Sequence, residues 1–323
     1  MLKRFRREDV TLRLYYASDV HGSDVCWRKF LNAAQFYEVG TLIMGGDLCG
    51  KGLAPVVRRN GGWTMPLAGQ ERHVTSETEL AELEKLVRQS GFYPRLMTEE
   101  EFERISADER ALEEVFELAM VEGVRRWMAL ADERLPAADA TAYVMPGNDD
   151  PWAIDEALAG HKTVVACDDQ IVMLGRHEML SLGWSNETPW HTARELDEDA
   201  LYARIKVLAE QLENPRSAIF NIHVPPYASG LDTATELDDT LKPVLVGGQP
   251  HEIPVGSTAV VQLIDEYEPA LGLHGHIHES RGMAQVGRTL CINPGSNYGA
   301  GRIDGAVVEL HANGVLNKHL VTG

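Results

Sequence analysis

Apolar runs of strand length recur along the chain, and they end alike. TLRLYYASD (11–19), TLIMGGD (41–47), TAYVMPGND (141–149), SAIFNIH (217–223) and ALGLHGHIH (270–278) each pass from β-branched, aliphatic or aromatic residues into polar ones at the C-terminal end. Between the first two lies WRKFLNAAQFY, whose apolar residues recur at helical spacing. Strands alternating with amphipathic helices predict an α/β fold with helices covering the sheets. Ligand sites in such folds gather beyond the carboxyl ends of the strands. TVVACDDQIVMLG, EMLSLGW, GMAQVGRTLCIN and IDGAVVELHANGVLNKHLV add strands with Gly or Asn turns, so the second half is strand-rich. ANGVL has the composition of a hairpin turn.

Residues 51–137 break this rhythm. PVVRRNGGWTMPLAGQERHV reads as an irregular hairpin around Asn60-Gly61-Gly62. Two helical stretches follow, each opened by a Ser-x-x-Glu capping box, Ser76/Glu79 and Ser106/Glu109. The expectation is a single domain over 1–323, interrupted by a mostly helical insertion at about 51–137. That insertion could cap a site, mediate homo-oligomer formation, or simply pack.

The charge narrows the partners. A formal net charge of −19, with no basic stripe, repels nucleic acid and anionic membranes. No run reaches the roughly 18 apolar residues that cross a bilayer, and the basic opening MLKRFRREDV has no apolar region behind it. Cys26, Cys49, Cys167 and Cys291 lie far apart without CxxC spacing, which argues against disulfides or a thiolate zinc site. Free buried thiols fit a reducing, cytoplasmic setting.

The polar strand ends hold the candidate chemistry: Asp19 and His21, Asp47, Asn148, His223, and His276 with His278. Oxygen and imidazole donors without thiolate suit Mn, Fe, Zn or Mg ions. Residues i and i+2 of an extended strand share a side, so Asp19/His21 and His276/His278 could each offer two ligands to one cavity. Any one fragment is weak. The ordinary alternative, seven polar residues buried at strand ends for unrelated reasons, has to explain all of them in this order.

The ordered set D-x-H, G-G-D, G-N-x-D, H and G-H-x-H resembles the calcineurin-like metallophosphoesterase superfamily, over roughly residues 14–300. The resemblance implies a four-layer α/β/β/α sandwich with two divalent metal ions at the strand ends. By the same resemblance, Asp19, His21 and His278 would hold the first ion and Asn148, His223 and His276 the second, with Asp47 bridging both. His274 is an additional histidine, better suited to the core or to supporting a ligand than to binding metal. Two cations about 3.5–4 Å apart acidify a bridging water and neutralise the phosphoryl oxygens of an in-line displacement. They would also let an acidic protein act on a small anionic phosphate ester.

One motif departs from the family. Where G-N-H-D/E is usual this chain has GNDD, with Asp149 at the histidine's place and Asp150 at its carboxylate partner's. The catalytic candidates are therefore Asp149, Asp150 and His223. A histidinium can donate a proton to a departing oxygen; a carboxylate beside two cations cannot. His191 and His251 sit in loops and could substitute, and NPGSNYG (293–299) could edge the site. The expected activity is hydrolysis of a phosphodiester or an activated monoester by a metal-bridging hydroxide. The alternatives are a protein phosphatase and a metal-binding scaffold with little catalysis.

Overall fold

A computed structural model describes residues 10–67, 70–312 and 314–323. Among them are two six-stranded sheets. The first runs in the order Gly314–Thr322, Asp304–His311, Leu12–Ala17, Thr41–Met44, Thr141–Val144, Val164–Ala166. Its last four strands are mutually parallel, and the C-terminal hairpin is added antiparallel. The second runs Gly282–Val286, Thr289–Asn293, Leu271–Leu273, Ile219–Ile222, His177–Leu182, Gln170–Leu174, with a parallel centre and antiparallel edges. The expected α/β class is what the chain forms. The apolar run at 163–175 is split at Cys167–Asp169, and its two strands enter different sheets. The Asn313 turn and the basic opening at 1–9 lie outside the described residues.

Seven α-helices are described, α1 (Asp24–Phe36), α2 (Glu77–Gln89), α3 (Glu99–Ser106), α4 (Glu109–Arg134), α5 (Asp155–Leu158), α6 (Glu198–Ala209) and α7 (Thr258–Tyr267). Three large apolar clusters account for the packing. Leu14, Tyr16, Ile43, Met179, Ile219, Leu271 and Ile292 meet where the two sheets face each other. Trp27, Phe30, Trp127 and Met128 join α1 and α4 to the other side of the first sheet. Leu201, Ile205, Val260 and Leu263 join α6 and α7 to the second. Because the parallel strands are buried on both faces, their runs are continuously apolar instead of alternating.

The segment 51–137 differs from its sequence reading. Besides helices it holds a four-stranded sheet ordered Gln70–Val74, Gly62–Leu67, Gly52–Arg59, Phe92–Met97. The hairpin at Asn60-Gly61 is regular. Prolines obscured these strands. Pro55, Pro66 and Pro94 each pair with a neighbour on one side only, which leaves an open edge for a residue without an N–H. The Ser76/Glu79 capping box forms. The Ser106/Glu109 box does not, because Ser106 ends α3 and the Asp108 carboxylate caps α4, accepting from Arg110 and Ala111 N–H. A second capping box, Thr98/Glu101, opens α3.

Candidate metal centre and cleft

The parallel strands of both sheets deliver their carboxyl ends to one place. After Ala17 and Met44 the two chain segments run side by side, Asp19 N–H donating to Gly46 O (3.0 Å), His21 N–H to Asp47 O (3.0 Å) and Gly22 N–H to Leu48 O (2.7 Å). This zipper bends the backbone. Asp19 (φ 58°), His21 (φ 37°), Asp47 (φ 50°) and His276 (φ 67°) all occupy the left-handed region, which non-glycine residues seldom adopt. The expected extended D-x-H and H-x-H geometry is therefore corrected: these side chains converge through bent loops and not through strand alternation. Strain at several neighbouring polar residues is characteristic of a functional site.

The side chains fall into two groups that share one member. Asp19, His21, Asp47 and His278 present ligand atoms within 4.8 Å of one another, as do Asp47, His223 and His276. His21 Nε2 lies 3.0 Å from His278 Nε2 and 3.6 Å from Asp47 Oδ2. His223 Nε2 lies 3.4 Å from Asp47 Oδ1. Backbone carbonyls orient two of the rings, with His21 Nδ1 3.2 Å from Cys49 O and His223 Nδ1 2.8 Å from Gly45 O. When Nδ1–H donates to the carbonyl, Nε2 keeps its lone pair for the site. Gly147 makes room for the shared carboxylate, since a Cβ there would lie 2.1 Å from Asp47 Oδ1.

Asn148 joins through its amide. Its Nδ2 donates to Thr192 Oγ1 at 2.8 Å, which turns Oδ1 away, and Oδ1 is buried with no hydrogen-bond partner among the described residues. His223 Nε2 is likewise buried without one. A buried acceptor and a buried imidazole nitrogen left open beside two carboxylates make a donor set that fits hard or borderline divalent cations.

Electrostatics point the same way. Burial opposes the charge of Asp19, but His278 and His223 outweigh it and bring the carboxyl to about 2. Burial brings both His21 and His276 down to about 4, which keeps the rings neutral and able to ligate. His223 moves the other way. Burial lowers it, yet the Asp47 and Asp19 carboxylates raise it to about 9. A cation bound there would take the proton's place.

Asp150, expected among the catalytic candidates, is placed behind the cleft wall. It is fully buried and does not line the cleft. Its carboxylate accepts from Leu48 N–H (2.9 Å), Cys49 N–H (2.7 Å) and Gly147 N–H (2.7 Å), and so ties the Asp47 loop to the Asn148 loop. Burial and the nearby Asp47 raise its carboxyl to about 6. Asp149 does face the cleft, paired with Lys51 Nζ. His251 hydrogen-bonds Glu236 (2.6 Å), and neither it nor His191 lines the cleft. His274 Nδ1 lies 2.9 Å from Ile222 O and 3.1 Å from Val224 O, on either side of His223, and braces that residue from behind.

Several contributors carried no readable sequence signal. Lys51 is the one Lys or Arg among the described residues on the cleft wall. Buried Arg194 donates to Asp150 O (3.2 Å) and lies over the Trp152 ring. Residues 293–299 form a buttress behind the ligands. Asn293 Nδ2 donates to Ile277 O (2.8 Å), Ser296 Oγ to Asp19 O (2.6 Å), and the Tyr298 ring packs 4.7 Å from that of His21. The cleft itself has a volume of about 920 Å³. It runs from Asp47 and His276 outward past Trp190 and Tyr227 to the short strands Thr233–Thr235 and Glu252–Pro254. No described helix is long and apolar enough to cross a membrane.

No family model matches the chain. Over 153 residues it is 28% identical to an uncharacterized protein, MJ1162, of Methanocaldococcus jannaschii, a match covering 46% of this chain and 62% of that protein's length. Two crystal structures share the fold over nearly the whole chain. One aligns with a TM-score of 0.57 at 16% identity, covering 96% of this chain and 98% of the other. The second, TT1561 of Thermus thermophilus, aligns with a TM-score of 0.52 at 16% identity, covering 97% and 98%. A third, described as a novel archaeal phosphodiesterase, aligns at a TM-score of only 0.32, too low to bear on this chain's activity.

Proposed function

We propose that this protein is a metal-dependent phosphoesterase of the calcineurin-like type, built as a four-layer α/β/β/α sandwich and hydrolysing a phosphodiester or an activated phosphomonoester. One observation carries the reading: Asp47 belongs to both groups of ligand atoms, as a carboxylate bridging two cations must. The three apolar clusters, helix on sheet, sheet on sheet and sheet on helix, support the layering. Asp19, His21 and His278 would hold one ion and Asn148, His223 and His276 the other. Two divalent ions, when bound, supply a water acidified to near neutrality and charge neutralisation for the phosphoryl group.

The rest falls to the chain. Asp150 and Gly45 O fix Asp47 and His223, and Thr192 aims the Asn148 oxygen. Lys51 offers a cation toward a phosphoryl oxygen. Burial works against that charge, but Asp149 and Asp47 more than offset it and hold Lys51 above its usual range, so it stays protonated at neutral pH. The four buried free thiols fit a reducing compartment.

The test is hydrolysis of bis(p-nitrophenyl) phosphate by protein reconstituted with Mn²⁺, alongside elemental analysis. Turnover that needs metal and disappears in both Asp47→Ala and His276→Ala is expected. Metal-independent turnover, or none with two ions bound, would refute the assignment.

A further inference from the structure

The cleft extends well beyond what a phosphoryl group at the candidate metal centre needs. The whole cleft, from Asp47 and His276 to its rim, is about 920 Å³, the size of pockets that enclose whole organic ligands. Its walls carry two aromatic rings with little covering them: Trp190 is 62% exposed and Tyr227 43%. Its charge is one-sided. Lys51 is already paired with Asp149, while Glu187 and Glu279 line the cleft with no hydrogen bond or ion pair to any described residue. Glu236 and Glu198 also line it, but His251 and the start of α7 respectively engage them.

Resting on the phosphoesterase reading above, we infer that the cleft selects a phosphodiester with a single negative charge, whose second arm is planar and uncharged and lies against Trp190 and Tyr227. A π-face stacks on exposed aromatic rings whatever its exact identity. A second phosphate on the same arm would meet Glu187 and Glu279 with no free cation among the described residues to offset them, and like charges in a cleft walled by protein repel more strongly than in water. The anionic end belongs at the ligand cluster and the neutral ring at the rim. Substrates with phosphates at both ends are thereby disfavoured.

Three p-nitrophenyl diesters test this with one leaving group. Their second arms are methyl, adenosine (through its 5′ oxygen), and adenosine with an added 3′-phosphate. In each, a water oxygen bonds to phosphorus as the bond to p-nitrophenolate breaks, so differences in kcat/KM report the arm. The adenosine arm should exceed methyl by about tenfold, within the range for stacking one base on an aromatic ring. In Trp190→Ala that ratio should fall to about twofold or less. The added 3′-phosphate should lower kcat/KM by about tenfold, and Glu187→Gln should recover part of the loss. A readout independent of turnover is tryptophan fluorescence of the metal-free protein titrated with adenosine 5′-phosphate or methyl phosphate. Quenching by the first alone, lost in Trp190→Ala, is expected. Equal kcat/KM for methyl and adenosine arms, or a gain from the 3′-phosphate, would overturn the inference. If no ester is cleaved but the fluorescence still discriminates, the phosphoesterase reading fails while the arm-binding site stands.

Discussion

At the scale of single residues, the ligand roles separate by what each mutation should remove. Asp47 is shared by both clusters, so Asp47→Ala should lose most of both ions, whereas His223→Ala should lose chiefly one. Elemental analysis with circular dichroism as a check on folding reads this directly, and wild-type metal content in folded Asp47→Ala would contradict the shared role. Asp149 should matter much less. Its carboxylate pairs with Lys51; if the proposed ions stabilise the leaving oxygen without it, turnover in Asp149→Asn should drop by less than about tenfold, or about 1.4 kcal/mol. The dependence of kcat/KM on leaving-group pKa, steep in the wild type, should barely change. A shallow wild-type dependence that steepens in Asp149→Asn would make Asp149 the acid. The clustering of Asp19, His21, Asp47, His223, His276 and His278 was legible because polar residues that end neighbouring parallel strands are delivered to one place. The surroundings of Asp150 were not legible, because a motif position says nothing about where a carboxylate points. Here three backbone N–H groups claim it. Lys51 was invisible because it approaches Asp149 only through folding, from far off in sequence.

Elements were legible where one local signal dominated. The five donor-bearing strands ended within a few residues of the expected places because burial on both faces writes a continuous apolar run. The sheet at 52–97 was not, because its prolines contradict strand propensity and only the pairing pattern excuses them. The start of α4 went to Ser106 because a capping box was present in sequence, but Asp108 sits closer and caps better. The far end of α4 carries a testable tie. Asp132 accepts from Lys162 N–H (2.9 Å), Thr163 N–H (2.8 Å) and Thr163 Oγ1 (2.9 Å), anchoring the lead into the strand Val164–Ala166. Burial opposes its charge, but these donors outweigh it and hold the carboxyl below its usual range. With the folded pKa depressed, the unfolded chain binds more protons, so the contribution is full above about pH 4 and is lost as pH falls through the folded value. Urea denaturation should show Asp132→Ala less stable by about 1–2 kcal/mol at pH 7, with the gap narrowing below about pH 4. A gap that is constant with pH would mean the carboxylate is not what holds the turn.

For the whole molecule, the question is whether 51–137 is attached to the core or built into it. Its sheet and α2 have a small core of their own, around Val56, Met65, Leu80 and Leu83. Its last helix does not keep to itself. The Trp127 ring stacks on Trp27 of α1 with centroids 5.1 Å apart and planes 4° from parallel. Trp127 Nε1 donates to Asp24 (2.6 Å), and Trp27 Nε1 donates to Trp127 O (3.0 Å). The segment also presses on the ligand loops. Gly50 N–H donates to the Tyr93 hydroxyl (2.9 Å), and a Cβ on Gly50 would come within 1.9 Å of Gly91 O. Replacing 56–134 with a short linker would therefore strip Val124, Trp127, Met128 and Ala131 from the first sheet's cover, and such a protein should fail to fold. A point substitution asks the same thing more gently. Truncating a buried Trp costs about 3–5 kcal/mol, so Trp127→Ala should lower the global urea midpoint in one cooperative step and bring metal loss to the same, lower urea concentration. If the core instead keeps its wild-type midpoint and its metal while only part of the helical signal melts early, then 51–137 folds as a unit of its own and α4 is not part of the frame that holds Asp47.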